Sequence, residues 1–172
     1  NLAKFAAAAA SATSLREYRE TVLSLLQRLV PFDAALVHAL SPRVPLETAV
    51  LRGLDPRSLA RTQKRWDELG DVLSPLRLLA NRQLVATAAE ALPRRSPAWR
   101  RLDALVLRPL GQRAVCIVHL IVQGRVVGAV VLLSRLATAF DAAQVACLRR
   151  VAPLIAVGDA LHQRLSQVAT SS

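Results

Sequence analysis

Apolar residues near the start of the chain recur at helical spacing. From Leu15 to Leu29 they fall on one face of a helix, and Pro31 ends the pattern. Ser14 and Glu17 have the spacing of a capping box, in which the serine accepts a hydrogen bond from a first-turn amide and the glutamate reaches back. The sequence therefore predicts a helix that begins after Ser14.

The end of the chain predicts a second long helix. Asp141 and Gln144 have the spacing of a cap, and a leucine-rich segment follows them. Pro153 lies inside this segment, so we expect it to kink or split the helix. Apolar residues then alternate at spacings of four and three, which forms a narrow seam. The seam consists of Leu154, Gly158, Leu161, Leu165 and Val168.

Between these helices the pattern changes to β-branched runs. Residues 112–122 and 125–134 are apolar at nearly every position, and Gln123-Gly124 between them suits a tight turn. This pattern predicts a hairpin in the middle of a sheet, covered on both faces. Shorter strands are predicted at residues 32–40, 47–51 and 84–88.

A capping side chain precedes a proline at three points, each of which predicts the start of a helix. These dipeptides are Asp55-Pro56, Ser74-Pro75 and Ser96-Pro97. The chain has no alternation of strands and helices and no glycine-rich phosphate loop. The predicted fold class is α+β, with a central antiparallel sheet, helices on its faces, and the first and last helices packed together.

The composition fits a single domain whose core is aliphatic. The 172 residues are 53% hydrophobic but only 3% aromatic. We expect the domain to span residues 14–168, followed by a tail at 169–172. The alanine-rich residues 1–13 are expected to be a flexible tail, a remnant of cloning or a helical lead-in.

Membrane insertion and secretion are not expected. The most apolar stretch, Ala114 to Ser134, is interrupted by Gln123-Gly124-Arg125, and no signal peptide is recognisable. Two cysteines are too few for a disulfide framework, which favours a reduced, cytoplasmic protein.

The formal net charge of +11 comes almost entirely from arginine, since Lys4 and Lys64 are the only lysines. The arginines are spread along the chain without aromatic interleaving or a nucleic-acid motif. Direct DNA binding by this segment is therefore not expected, and a solvated basic surface is the favoured interpretation.

Three motifs, in this order and spacing, resemble those of GAF domains. They are Leu29-Val30-Pro31-Phe32-Asp33-Ala34-Ala35, the hairpin Gly124-Arg125-Val126-Val127-Gly128 with its apolar continuation to Arg135, and Phe140-Asp141-x-x-Gln144. Two further motifs resemble the GAF domains found ahead of LuxR-type helix-turn-helix regulators. These are Gly53-Leu54-Asp55-Pro56 and Ser96-Pro97-x-Trp99. The similarity spans Ser14 to Gln167.

The resemblance implies a sensor module rather than an enzyme. GAF domains bind small molecules, or sometimes nothing, in a pocket between sheet and helices, and many dimerise through their first and last helices. An output module reads the change. No helix-turn-helix is recognisable before Ser172, so we expect either the sensor part of a larger regulator or a free-standing GAF protein.

Five residues are expected at a ligand pocket, on the basis of the resemblance together with the alternation of side chains along the strands. They are His38, Trp66, Trp99, Cys116 and His119. In the predicted hairpin Cys116 and His119 lie on opposite faces, so either face can carry the pocket or its filled remnant. The tryptophans either cover this pocket or anchor helices to the sheet.

No catalytic residue, metal or cofactor is expected. The three histidines form an incomplete ligand set, and Cys116 is flanked by apolar neighbours that promise burial rather than reactivity. The Asn-Lys-Phe-Asp-Glu signature of cyclic-nucleotide GAF domains and the Cys-His dipeptide of bilin-binding ones are absent, and the cysteines are fewer than GAF-type methionine sulfoxide reductases use.

The leading hypothesis is a homodimeric sensor in transcriptional or signalling control. Its dimer helices are expected to pair in a four-helix interface through Leu15, Val22, Leu26, Leu154, Leu161 and Leu165. The alternatives are a scaffold module with a filled pocket and no ligand, and an enzyme, for example a redox enzyme, on the same scaffold.

Overall fold

The computed structural model describes residues 2–39, 49–63 and 70–170, with the side chains of residues 63, 71–76 and 170 left out. The helices are α1 (Leu2–Ser11), α2 (Leu15–Leu29), α3 (Pro56–Gln63), α4 (Gly70–Gln83), α5 (Ala88–Ala91), α6 (Pro97–Leu102) and α7 (Ala142–Thr170), with a π-helical turn at Asp103–Leu107. The strands are β1 (Ala34–Ala39), β2 (Val50–Arg52), β3 (Val85–Thr87), β4 (Ala114–Val122) and β5 (Arg125–Ser134).

The five strands form one sheet in the order β2-β1-β5-β4-β3, and every neighbouring pair is antiparallel. Gln123 and Gly124 have φ angles of 50° and 73°, as a type I′ hairpin turn requires. The register shifts between Leu120 and Ile121, where the hairpin contains an irregularity. The predicted α+β class and the predicted central hairpin are confirmed.

The predicted caps hold the ends of several helices. At α7, Asp141 Oδ1 accepts a bond from Gln144 N at 2.8 Å and Gln144 Oε1 accepts one from Asp141 N at 3.1 Å. At α2, Ser14 caps Glu17 N, but the Glu17 carboxylate reaches Thr13 instead of the cap residue. The starts predicted at Asp55 and Ser96 are also present. The sequence therefore encodes these helix boundaries locally.

One proline-based prediction is wrong, and a second is wrong in one of its two alternatives. The described part of α4 begins at Gly70, so Ser74-Pro75 lies inside this helix and does not start it. Pro153 does not split α7, which runs as one helix from Ala142 to Thr170. A proline removes one backbone hydrogen bond, and the packing of a long helix against its neighbours offsets that loss.

The two faces of the sheet contribute to different cores, as strand alternation predicted. Cys116, Val118 and Leu120 face a large cluster that includes the buried sides of α2 and α7. Val115 and Ile117 face a second cluster, which contains Leu102 and Leu107 from the α6 region. The central hairpin is thus covered on both sides.

Residues 2–11 form a helix packed on the domain and not a flexible tail. Phe5 and Ala8 of α1 are 1% and 5% exposed. The imidazole Nε2 of His162 on α7 lies 3.0 Å from the carbonyl oxygen of Ala9. Of the three possibilities for the alanine-rich segment, the structure describes a helical lead-in. Alanine has the strongest helix propensity, and a single phenylalanine anchors the helix to the core.

A buried ion pair joins α2 to α7. The side chains of Arg19 and Asp159 are both almost fully buried, with Arg19 Nε 2.7 Å from Asp159 Oδ1 and Arg19 Nη2 3.1 Å from Oδ2. Beside this pair, the Tyr18 hydroxyl donates to the carbonyl of Ile155 at 3.0 Å. The Tyr18 ring also stacks on His162 with 5.0 Å between ring centroids. These contacts fix the register of α2 along α7.

This packing shows that part of the predicted dimer face is wrong. Val22 and Leu26 are 1% and 0% exposed in the core of the chain itself, so they cannot meet a second copy without unfolding α2. Gly158 of the predicted seam faces Tyr18. Leu161 and Leu165, by contrast, are exposed, while Leu15 and Leu154 are half-buried.

Gly158→Ala is expected to destabilise the protein by about 1–3 kcal/mol. A Cβ atom at this position would overlap the hydroxyl and the ring of Tyr18, although alanine is intrinsically the better helix former. The matched control is Gly70→Ala, because no atom of the described residues lies within 4 Å of a Cβ atom there. Urea denaturation of both variants checks this expectation. Equal stabilities for the two variants would show that Tyr18 moves aside without cost.

Candidate functional site

The second face of the sheet encloses a cavity of about 300 Å³. We call it the sheet cavity. Its strand residues come from β1, β4 and β5, and its opposite wall comes from α3, α4 and the α6 region. Most of its lining is aliphatic. The aliphatic residues include Leu36, Leu59, Leu102, Val115, Ile117 and Val131. This volume lies at the lower end of the range for small-molecule sites.

Two histidines flank one small residue on the sheet wall of this cavity. His38 of β1 and His119 of β4 are each the direct register partner of Ala129 on β5. Directly opposed residues point to the same face, so all three side chains share the cavity side. The two histidine strands are not neighbours, because β5 lies between them. Their Cα atoms are therefore separated by roughly two strand spacings, about 9.5 Å.

His119 is held as a neutral ring. Its Nδ1 lies 2.6 Å from Asn81 Oδ1 on α4, and with this amide orientation Nδ1 donates and Nε2 is left as an acceptor. Burial lowers the pKa of His119 to about 4, and the positive charge of Arg77 and the nearby His38 act in the same direction. His119 is therefore a hydrogen-bonding group rather than a cation at neutral pH.

His38 is also buried, with 8% of its surface exposed against 4% for His119. Its Nδ1 lies 3.1 Å from the carbonyl of Ala39. Burial lowers the pKa of His38, the bond to Ala39 raises it, and the positive charges of Arg19 and Arg77 lower it further. A second neutral imidazole thus faces the cavity.

The polar groups of the sheet cavity suit orientation of a ligand rather than metal binding. Two neutral imidazoles, the Asn81 amide and the Arg77 guanidinium line it together with aliphatic walls. Within the described ranges, no cluster of three or more histidine, cysteine, aspartate or glutamate side chains is arranged to hold a metal ion. The arrangement can bind a small, largely apolar molecule through one polar end.

Two of the remaining predicted pocket residues, Cys116 and Trp99, do not line this cavity. Cys116 lies on the opposite face of β4, is 0% exposed, and burial raises the pKa of its thiol. Trp99 packs partly buried beside the second core cluster and lines a different groove. Trp66 lies outside the described residues. Strand alternation explains the error at Cys116, because residues three apart on a strand face opposite sides.

Arg77 and Asn81 are the site residues that sequence reasoning missed. They are four apart on α4, so they share one helical face. Their only sequence signal is a pair of polar residues at helical spacing among leucines. That signal does not distinguish a cavity-facing pair from a solvated one until the orientation of α4 on the sheet is known.

In the described part of the chain, no helix combines the length and apolar character that crossing a bilayer requires. This agrees with the two-strand explanation of the apolar stretch between Ala114 and Ser134, which the structure places in β4 and β5.

The fold is shared with solved structures of low sequence identity. A GAF domain of a phosphoenolpyruvate-protein phosphotransferase from Coxiella burnetii is 18% identical, with a TM-score of 0.61 over 97% of this chain and 94% of that one. The chromophore-binding domain of a bacteriophytochrome from R. palustris is 11% identical, with a TM-score of 0.60 over 96% and 60% of the two chains. A GAF domain/HD domain protein from Geobacter sulfurreducens is 18% identical, with a TM-score of 0.52 over 90% and 95%.

No curated protein sequence matches the chain. The sequence model of one family, described as GAF domain, matches residues 14–158, which include α2, the whole sheet and more than half of α7. Members of this family generally serve sensory or regulatory roles in signalling proteins. The chain belongs to the GAF domain family.

Proposed function

We propose that this chain is a regulatory sensor that binds a small molecule in the sheet cavity and relays the bound state through its terminal helices. The observation that supports this proposal is the cavity itself, which has aliphatic walls and a few convergent polar groups. A fully packed interior would leave no space of this size, because protein cores have few voids larger than a water molecule.

The lining indicates the chemistry of the ligand. Among the described lining residues the walls are aliphatic and carry no Phe, Tyr or Trp ring, which favours a compact apolar body over a flat conjugated one. The acceptor on His119, the Asn81 amide and the nearby charge of Arg77 favour one polar end that carries a donor and an acidic or carbonyl oxygen. The proposed ligand is therefore a small amphipathic molecule. No covalent step is part of this proposal, and the domain is proposed to be non-catalytic.

The proposed relay passes through β5. Ala129 lines the cavity, while the preceding residue, Gly128, lies on the opposite side of the sheet. A Cβ atom at Gly128 would lie 2.8 Å from the carbonyl oxygen of His38 and 3.5 Å from Asp159 Oδ2. A ligand that moves β5 at Ala129 therefore moves the surface on which Asp159 of α7 rests. The signal would be a shift between two packings of the helices.

The proposed output is a transcription regulator of the LuxR type, acting in the cytoplasm. The support is the resemblance of the segments Gly53 to Pro56 and Ser96 to Trp99 to GAF domains that precede such regulators. The structure uses both segments as helix starts on the cavity side, at α3 and α6. The DNA-binding function would belong to the output module rather than to the GAF domain.

Filling the cavity tests the ligand proposal. Ala129→Phe places a large ring between His38 and His119, so we expect it to abolish retention of a co-purified small molecule. Native mass spectrometry of the purified protein measures this retention. Ala129→Ser, which barely changes the volume, is the matched control and should retain the molecule. Circular dichroism establishes that both variants are folded.

Two outcomes contradict the sensor proposal. The first is a wild-type protein that retains no molecule and shows no shift in melting temperature with any member of a library of small amphipathic acids. The second is binding that survives Ala129→Phe, since the ligand would then lie elsewhere. Either outcome favours the alternative, a GAF-fold interaction module without a ligand.

The stability of the domain should depend on pH through His119. The ordinary pKa of this group is 6.5 and its folded pKa is about 4, so the unfolded chain binds more protons between these values. Its contribution is fully present above pH 6.5 and is lost as the pH falls toward 4. His119→Gln should therefore show a shallower decrease of unfolding free energy over this range. Urea titrations at several pH values measure both slopes, and parallel slopes would contradict the assignment.

We further propose that α7 forms a homodimer interface, on a narrower set of residues than the sequence suggested. Leu154, Val157, Leu161, Leu165 and Val168 lie within about 80° of one another around the helix. Val157, Leu161, Leu165 and Val168 are 61%, 46%, 55% and 68% exposed. A second copy would cover this stripe by coiled-coil packing, which requires an apolar seam of this spacing.

Leu161→Glu combined with Leu165→Glu should convert a dimer into a monomer. Burying two carboxylates in an apolar seam costs several kcal/mol unless they are paired. Leu136→Glu is the matched control, because Leu136 is 67% exposed and lies outside α7. Light scattering over a concentration series reports the mass. A wild-type protein that stays monomeric at high micromolar concentration removes the dimer proposal.

A further inference from the structure

A second concave surface lies apart from the sheet cavity. It is an open groove of about 1010 Å³ beside the loop before α6, the π-helical turn and the start of β4. Five arginines line this groove, accompanied by a single acidic residue, Asp103. The arginines are Arg94, Arg95, Arg100, Arg108 and Arg113. We call this surface the arginine groove.

Two of these arginines already have partners. Arg108 Nη2 lies 2.7 Å from Asp103 Oδ2, so this ion pair neutralises itself. Arg94 Nη2 donates to the carbonyl of Ala137 at 3.2 Å, a bond that leaves its charge uncompensated. The side chains of Arg95, Arg100 and Arg113 form no hydrogen bond and no ion pair with any described residue. The groove therefore concentrates positive charge that no carboxylate of the described residues balances beyond Asp103, and an external anion can balance it.

Two further groups on the wall are suited to a ligand. Gln112 is 4% exposed; its Nε2 donates to the carbonyl of Leu110 at 3.2 Å, while its buried Oε1 accepts no bond from the described part of the protein. The bond to Leu110 fixes the orientation of the Gln112 amide, so the atom without a hydrogen-bond partner is the acceptor Oε1. Trp99 lines the same groove with its ring partly buried. A buried acceptor without a donor is costly, and a rotation of the Gln112 side chain toward the groove would let a ligand donor remove that cost.

We propose that the arginine groove binds a nucleoside polyphosphate, with its phosphates on the arginines and its base against Trp99. Guanidinium groups bind phosphate oxygens in bidentate geometry, which matches the several cations that lack a carboxylate here. An indole face stacks on a base of any type, and the N–H groups of a base are donors of the kind that Gln112 Oε1 lacks. This site is independent of the sheet cavity and of its proposed ligand.

A single nucleotide fits the groove better than a polymer does. Single-stranded nucleic acids are held by successive aromatic platforms, and among the described residues that line the groove Trp99 alone is aromatic. An acidic peptide would match the charge but would leave the indole face without a stacking partner. The volume of about 1010 Å³ is at the upper end of the range for small-molecule sites.

Isothermal titration with adenosine triphosphate tests this proposal. The variant Arg95→Gln combined with Arg100→Gln should weaken binding at least ~tenfold, because it removes two charge-assisted contacts to the phosphates. The matched control, Arg57→Gln combined with Arg125→Gln, removes the same charge from exposed arginines outside the groove and should change the affinity less than about twofold. All four arginines are exposed, so both double variants should fold.

The comparison is completed by four further probes, which are inorganic tripolyphosphate, adenosine, a hexaglutamate peptide and a single-stranded oligonucleotide. The proposal expects adenosine triphosphate to bind more tightly than each of them. Tripolyphosphate of equal affinity would overturn the role of the base and of Trp99. Tighter binding of hexaglutamate, or of an oligonucleotide, would show that the groove serves an acidic protein or a nucleic acid instead. An equal loss of affinity in the control variant would reduce the interaction to general charge attraction.

Discussion

The structure depends on one constraint, which is that Arg19 and Asp159 are removed from water as full charges. Such a pair is tolerated only with close geometry, because either charge alone would face a desolvation cost of several kcal/mol. The bidentate contact at 2.7 and 3.1 Å therefore fixes α2 against α7 both along and around the helix axes. Gly158 and Tyr18 fit together only in that register. Because α7 also packs on β4, the same pair positions the helical layer on the sheet.

The two faces of the sheet differ because their helices differ. One face is covered by the long helices α2 and α7, whose many apolar positions close it completely. The other is covered by shorter segments and lined by small residues, among them Ala34, Ala86 and Ala129. With only 3% aromatic residues in the chain, few large rings are available to fill the space that alanines leave. The sheet cavity is thus a consequence of composition as well as of topology.

Features encoded within a few residues were predictable, and features that depend on the orientation of whole elements were not. The capping pair Asp141 and Gln144, and the β4–β5 hairpin, follow from local chemistry. Alternation correctly separated Cys116 from His119 but did not say which of them faces the cavity. Amphipathic spacing placed Val22 on the apolar face of α2 without showing that this position packs into the core of the same chain and not on a second copy. Arg77 could be identified as a site residue only from the position of α4 on the sheet.

The magnitudes of these interactions limit how a signal can cross the domain. Breaking a buried ion pair costs about 3–5 kcal/mol, whereas coupling between two sites is typically about 1–3 kcal/mol. The proposed ligand, with coupling of this size, would not separate Arg19 from Asp159. It can move them together, since Gly128 and Ala129 are consecutive on one strand and contact opposite sides of the sheet. A rigid displacement of α2 and α7 as one unit is the transmission that these energies permit.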